Sequence, residues 1–355
     1  MNSFSKSTHF KNWIKTEEEI NNIEKAKVEK IISRIYEINL KIQKENEEKS
    51  HEKDQNNENF KKYINTKKYI NLEKEKIVII NFSFKLIKML NSQKNKSTSL
   101  KNITLSYFRR FFLKKSILDY DPIFLMGAAL FLGNKVAQLN LSILEIEKLF
   151  PILKNNEKKL FDYEVFLVSI LDYNFYVYNP YQAFQGLIFT LEQKEFFLAQ
   201  NTDNYIDPNE FKQGCIDIID KMFLTDNIFL FTYSEIALAS IFIKCLEKNI
   251  NINKVAEKMG IDKIINIKEF MEGPLEKMKK NVEILKEYEN FEEQNKKANE
   301  IYKITLDFHK KYPQYQMKLD EERNILKNKM KSFTNDFDEL LKKNGLLDKK
   351  NRNIK

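Results

Sequence analysis

Apolar residues recur at spacings of three and four along most of this chain, which is the period of helices that bury one face. In the first half of the chain, the two clearest stripes consist of Ile79, Phe82, Leu86 and Leu90, followed by Leu100, Ile103, Tyr107 and Phe111. After Pro122, residues 123–132 are apolar on every side, which indicates a helix enclosed by its neighbours. The pattern therefore predicts a helical bundle with this third helix at its centre.

A short helix predicted at residues 142–150 and a fifth helix at 157–171 complete the first group of helices. Asn179 and Pro180 then interrupt the pattern, and a second group of apolar stripes follows in similar order. The clearest later segment is 232–246, where Thr232 and Glu235 have the spacing of a capping box and an apolar run follows. The order of the elements suggests a diverged internal repeat of five helices.

Both ends of the chain are more polar than its middle. Thr16 and Glu19 predict a capping box at the start of an N-terminal helix, and Trp13 just before it is expected to pack against the body of the protein. Residues 44–59 contain no apolar side chain, so they form either a solvated helix extension or a disordered insert. Beyond Pro274 the chain is rich in Lys and Glu, with helical stretches interrupted at Pro313.

Length and composition agree with an all-α protein of two domains. A chain of 355 residues exceeds the size of one comfortable core, and 7 Gly and 6 Pro supply few helix breakers. The net charge of +9 is mostly interspersed, which favours a solvated surface over a patch that binds nucleic acid specifically. Only residues 342–355 concentrate basic side chains, either as a frayed terminus or as a nuclear-targeting or phosphate-binding segment.

No catalytic or metal-binding pattern is present in the sequence. Cys215 and Cys245 lie far from each other and from the three His residues, so we expect reduced, buried thiols, an intracellular protein and no metal site. The longest apolar run is far below the roughly 20 residues of a membrane span, so a soluble protein without a membrane partner is expected. Nucleotide-binding, kinase, serine-hydrolase and zinc-protease motifs are missing. The sequence favours an interaction protein that is not an enzyme and needs no cofactor.

The sequence resembles the cyclin family, and its H-type members in particular. Four segments in the family's order carry the resemblance. They are the Trp-containing segment at 10–19 that leads into the N-terminal helix, YFRRFFLKKSILDYDP at 107–122, NPYQAFQG at 179–186, and LTDNIFLFTYSEIALASIF at 224–242. The resemblance extends from Trp13 to about Glu272 and implies an all-α fold of two tandem five-helix cyclin boxes with helical extensions. It implies boxes at 67–178 and 179–274, with extensions at 1–66 and 275–355.

The resemblance also implies a kinase-binding site. In cyclin boxes, a Lys after the third helix and a Glu in the fifth bind the kinase together, and these positions fall on Lys135 and Glu164. Without the resemblance, the two residues have the pattern of a helix C-terminal cation and a surface carboxylate. Interface statistics add exposed aromatic and Arg side chains to the expected site, namely Phe108, Arg109, Arg110 and Phe112. Trp13 is also assigned to the kinase-binding residues.

The function implied by the resemblance is that of a regulatory subunit that binds and activates a CDK-activating kinase. Such a kinase phosphorylates the activation loops of other kinases and, within general transcription factor H (TFIIH), the RNA polymerase II tail. The implied third partner is a RING-finger assembly factor, and the implied location is the nucleus, with a cytoplasmic pool left open. The alternatives are a transcriptional cyclin of the C, K, L or T type, a DNA-binding factor with two cyclin folds like general transcription factor B, and a helical scaffold.

Overall fold

A computed structural model describes residues 4–51, 64, 69, 71–93, 97–197, 207–285 and 291–343. These residues are mostly helical, and no strand occurs among them. Helix α1 spans Thr8–Trp13 and α2 spans Glu17–His51. The first set of five helices consists of α3 (Leu72–Asn91), α4 (Thr98–Lys114), α5 (Pro122–Val136), α6 (Ile143–Leu149) and α7 (Glu157–Ile170).

The capping box predicted at the start of α2 is confirmed. The Glu19 N–H donates to Thr16 Oγ1 at 3.2 Å, and the Thr16 N–H donates to Glu19 Oε2 at 2.8 Å. Two backbone donors that the helix leaves unpaired are thereby satisfied. Because α2 continues to His51, the first half of the polar segment 44–59 is a helix extension, and its remainder lies outside the described residues.

Helix α5 is enclosed as predicted, and glycine allows its close packing. A Cβ atom on Gly127 would lie 2.5 Å from Leu153 Cδ1 and 3.3 Å from Leu160 Cδ1. Real Cβ contacts are longer than the first of these distances. The Leu153 side chain can therefore lie this close to α5 only where the helix has a residue without a side chain. The apolar stripes predicted on α3 and α4 are also buried.

Helix α4 is enclosed even more completely than α5. Every residue from Leu100 to Leu113 is buried, including the polar Lys101, Arg109 and Arg110. The prediction of α5 as the central helix was therefore incomplete. The sequence pattern did not indicate that α4 is enclosed, because polar residues lie between its apolar ones.

The second set of helices follows in the same compact unit as the first. It consists of α8 (Pro180–Gln193), α9 (Pro208–Leu224), the short α10 (Asn227–Leu230), α11 (Tyr233–Glu247), α12 (Ile252–Met259), α13 (Ile267–Phe270) and α14 (Glu276–Glu283), the last two joined by a π-helical turn. The capping box at Thr232 and Glu235 is confirmed by reciprocal hydrogen bonds. Helix α12 ends at Gly260, whose φ of 71° is the left-handed conformation that glycine adopts without strain.

The C-terminal helices are α15 (Phe291–Lys311) and α16 (Pro313–Lys343), separated at Pro313 as predicted. The chain divides into two compact units, one of Met1–Val28 with Ile70–Thr305 and the other of Glu29–Tyr69 with Leu306–Lys355. In the second unit, the Arg34 Nε and Nη2 groups donate to the two carboxylate oxygens of Glu322 at 2.8 and 2.9 Å. The domain boundaries given above remain predictions, and most of the basic tail, from residue 344 onward, lies outside the described part of the chain.

Candidate functional site

Lys135 and Glu164 lie together on the surface of the first helix set. Lys135 occupies the last turn of α5, and Glu164 lies in the middle of α7. The Lys135 Nζ donates to Glu164 Oε1 at 2.7 Å. The Lys side chain is 51% exposed and the Glu side chain 15% exposed. The two residues implied by the family resemblance therefore form one accessible charged pair.

Two aromatic rings that contact each other lie beside this pair. The Lys135 Nζ lies 4.0 Å from the ring centroid of Phe131, whose own centroid is 5.8 Å from that of Phe161. Phe161 is 43% exposed, so its ring adds apolar area to the accessible surface beside Lys135. We name the surface formed by Phe131, Lys135, Phe161 and Glu164 the Lys135 face.

The Lys135 face offers the chemistry of an interface. An ammonium has three donors and a carboxylate about four acceptor positions, and a single bond between them leaves most of that capacity open. Charge-assisted hydrogen bonds gain strength where a partner excludes water. The face can therefore bind backbone carbonyl and N–H groups of another protein, while its rings supply apolar contact area.

The other predicted kinase-binding residues are not exposed, so that expectation was wrong. Phe108, Arg109, Arg110 and Phe112 lie on α4 and are all buried. The aromatic rings pack inside the first helix set, with the Phe108 and Phe112 centroids 5.1 Å apart in an edge-on arrangement. These four side chains do not contribute to the accessible surface.

Arg109 instead connects the two helix sets. Its Nη1 donates to the Leu224 carbonyl at 3.0 Å, and its Nη2 donates to the Thr225 carbonyl at 3.0 Å and to Asp226 Oδ1 at 2.9 Å. A second connection that the sequence did not reveal joins Lys101 of α4 to Asp220 of α9 at 2.7 Å. Polar side chains on α4 thus fasten the first set to the second.

Trp13 packs against the body of the protein, as its position in the sequence predicted. It is 1% exposed, and the Arg110 and Lys114 cations lie 4.8 and 4.5 Å from its ring. Cation–π contacts of this kind favour Trp over the smaller rings. Because it is buried, Trp13 does not belong to an exposed kinase-binding surface either.

His9 fastens the same N-terminal segment by a hydrogen bond. The Tyr178 N–H donates to His9 Nδ1 at 3.1 Å, and His9 is buried. Burial, together with the nearby Arg110 guanidinium, lowers the pKa of His9 from 6.5 to about 3. The imidazole is therefore neutral at physiological pH and accepts a hydrogen bond that an imidazolium would lose.

We expect acid to destabilise the fold through His9. Between pH 6.5 and about 3, the unfolded chain binds a proton that the folded chain does not, so stability falls as the pH falls. The loss attributable to this group is ~1.4 kcal/mol per pH unit. A His9→Asn variant keeps an acceptor for the Tyr178 N–H but cannot titrate, so urea unfolding at pH 7, 6, 5 and 4 should show a shallower pH slope for it. Equal slopes in the two proteins would contradict this assignment.

No cluster of His, Cys, Asp or Glu suited to a metal ion occurs in the described ranges. Cys215 and Cys245 are free and buried, as expected, and burial raises their pKa values. Of the helices that the structure describes, none is sufficiently long and apolar to span a bilayer.

Comparison with known proteins points to the cyclins. Cyclin-H from Xenopus laevis is 27% identical over 150 residues, which cover 41% of this chain and 44% of that protein. Cyclin mcs2 from Schizosaccharomyces pombe is 25% identical over 244 residues, 67% of this chain and 68% of the relative. A chain in the structure of the CAK complex from Chaetomium thermophilum bound to ATP-γ-S aligns with a TM-score of 0.56 and 16% identity, covering 91% of this chain and 88% of that one. No family model matches the chain.

The fold class predicted from the sequence, two tandem sets of helices of the cyclin type, is confirmed by this structural similarity. Within that class the resemblance is to cyclin H, the name carried by curated relatives from a frog and a plant. The matches span less than half the length of those two relatives.

Proposed function

We propose that this chain is a cyclin H-type regulatory subunit that binds and activates a cyclin-dependent kinase of the CDK-activating type. The observation that carries the proposal is the Lys135 face, an accessible Lys–Glu pair beside the Phe131 and Phe161 rings, at the position implied by the cyclin resemblance. The fold shared with a chain of a CAK complex supports it.

We propose that binding shifts the kinase from its inactive conformation to its active conformation. Lys135 donates to backbone carbonyls of a kinase loop, and Glu164 accepts from backbone N–H groups. These bonds hold the kinase αC helix inward, where its Glu pairs with the β3 Lys that positions the ATP phosphates. Activation requires that the chain bind the active kinase conformation more tightly than the inactive one.

The proposed setting follows from the same resemblance. The chain itself is non-catalytic, and its kinase phosphorylates the activation loops of other kinases and, as part of TFIIH, the RNA polymerase II tail. A RING-finger assembly factor is the third partner. The complex acts in the nucleus, in transcription and in control of the cell cycle.

The test is co-expression of the full chain with a cyclin-dependent kinase of the CDK-activating type. A stoichiometric complex is expected, with phosphorylation of an activation-loop peptide at least about tenfold faster than by the kinase alone, equivalent to ~1.4 kcal/mol. Kinases that pair with cyclins of the C, K, L and T types serve as comparisons.

The outcomes separate the alternatives. Activation of only one of the comparison kinases would assign the chain to another transcriptional cyclin. Failure to activate any kinase, combined with tight duplex-DNA binding that weakens steeply with salt, would favour a DNA-binding factor. Failure in both assays would leave a helical scaffold and would contradict the proposal.

A further inference from the structure

The buried guanidinium of Arg110 has no carboxylate partner among the residues that the structure describes. Arg110 is 2% exposed, and its Nη1 is fully buried with no hydrogen-bond partner among the described residues. Its neighbour Arg109 is also buried, but donates to two carbonyls and the Asp226 carboxylate. The Arg110 guanidinium lies 4.8 Å from the centroid of the Trp13 ring. A π-face compensates a buried charge far less than a carboxylate does.

A small cavity lies beside this cation. It has a volume of about 20 Å³, and its polar lining consists of Arg110, His9, Asn102 and Ser106. The rest of the lining is apolar or aromatic, and it includes no Asp or Glu. Because His9 Nδ1 accepts the Tyr178 N–H, the neutral imidazole carries its proton on Nε2, which provides another N–H among the lining side chains. The lining therefore combines one positive charge with neutral donors.

We propose that this cavity is a binding site for a small inorganic anion of halide size, with Arg110 as its counter-charge. The volume admits one atom of about the size of a water molecule or slightly larger. A buried charge is tolerated when an opposite charge accompanies it, and the protein supplies none here.

A water molecule is the competing occupant. It would accept from Arg110 Nη1 and donate to Asn102 Oδ1, which is also buried without a partner. It would leave the charge of the guanidinium uncompensated, however, whereas a halide satisfies both the donor and the charge. Burial lowers the pKa of Arg110 to about 9, so the guanidinium remains a cation at neutral pH. An anion in the cavity would compensate this charge.

The cavity lies where three parts of the compact unit meet. Its lining comes from α1 through His9, from α4 through Asn102 and Arg110, and from the second helix set through residues such as Phe223. An anion held there stabilises the junction between the N-terminal segment and both helix sets. Anion binding is therefore coupled to docking of the N-terminal segment, and it stabilises the folded state over the unfolded chain.

The experiment is a halide titration of the full chain at constant ionic strength, with sodium gluconate replaced stepwise by sodium chloride or bromide. Thermal unfolding is followed by circular dichroism. We expect a saturable rise in Tm of about 2 °C or more for the natural sequence. Arg110→Met should abolish the rise. Lys114→Met, which removes a cation from the same Trp13 ring outside the cavity, should leave it unchanged.

A second measurement does not depend on a variant that folds. Crystals of the full chain grown in bromide should show an anomalous scattering peak in the cavity, within hydrogen-bond distance of the Arg110 guanidinium. A Tm that rises linearly and equally in all three proteins would indicate a general salt effect. That result, or a cavity that contains only water in bromide crystals, would overturn the proposal.

Discussion

We expect the Lys135→Ala, Glu164→Ala double variant to lose most of its ability to activate the kinase while it keeps its helical content. Removing one partner of a hydrogen-bonded charge pair from an interface costs about 2–5 kcal/mol. At the lower value, affinity for the kinase falls roughly 30-fold. The fold should not change, because an exposed ion pair contributes less than about 1 kcal/mol to stability and Lys135 is 51% exposed.

The measurement combines kinase affinity by titration with the rate of peptide phosphorylation. The second helix set provides a matched control, because Lys248 and Glu210 also form an exposed pair at 2.7 Å. The Lys248→Ala, Glu210→Ala variant removes the same charges and should activate the kinase normally. If both double variants activate as well as the natural sequence, the kinase does not bind through the Lys135 face.

The aromatic part of the Lys135 face was missed in the sequence, although the pattern contained a signal for it. Phe131 precedes Lys135 by four residues and Phe161 precedes Glu164 by three, so each ring lies on the same helix side as its charged neighbour. What the sequence could not supply is the direct bond between Lys135 and Glu164. That bond depends on how α5 packs against α7, a tertiary relation that no local pattern encodes.

Local structure was predictable wherever a short segment contains its own signal. Thr16 with Glu19, and Thr232 with Glu235, form their capping boxes because both partners lie within one helical turn. The stripes on α3 and α4 and the apolar run of α5 were predictable because apolar side chains must leave water at the helical period. Such signals predicted the class and the order of the helices, with ends within one residue in α6 and α7, whereas α5 continues four residues past its apolar run at 123–132.

The burial of α4 was not predictable, because its polar residues have partners more than a hundred positions away. Arg109 bonds to residues 115–117 positions later, and Lys101 to a carboxylate 119 positions later. The stripe of Leu100, Ile103, Tyr107 and Phe111 predicts that one side of α4 is buried, but the Lys, Asn, Ser and Arg residues between them are typical of a solvated opposite side. The assignment of Phe108, Arg109, Arg110 and Phe112 to an exposed interface failed for this reason.

The largest effect on stability is expected at Asp220, the acceptor at the centre of the connection between the two helix sets. The Lys101 Nζ donates to Asp220 Oδ1 at 2.7 Å, the Asn91 Nδ2 donates to Asp220 Oδ2 at 3.1 Å, and the Tyr181 hydroxyl also donates to Oδ1. Lys101 and Asp220 are both buried. Burial and the Asp220 charge raise the pKa of Tyr181, which keeps its hydroxyl a donor.

We expect Asp220→Asn to lower the free energy of unfolding by about 3–5 kcal/mol, because the Lys101 ammonium would remain buried without its counter-charge. The matched Lys101→Met, Asp220→Leu variant removes both charges and fills the space with apolar atoms, so it should be less destabilised than Asp220→Asn. Urea unfolding of the natural sequence, of Lys101→Met and Asp220→Leu singly, and of the double variant gives the coupling energy between the two positions. If the single losses simply add in the double variant, the two side chains do not act as one buried pair, and Arg109 would be the main polar connection between the two helix sets.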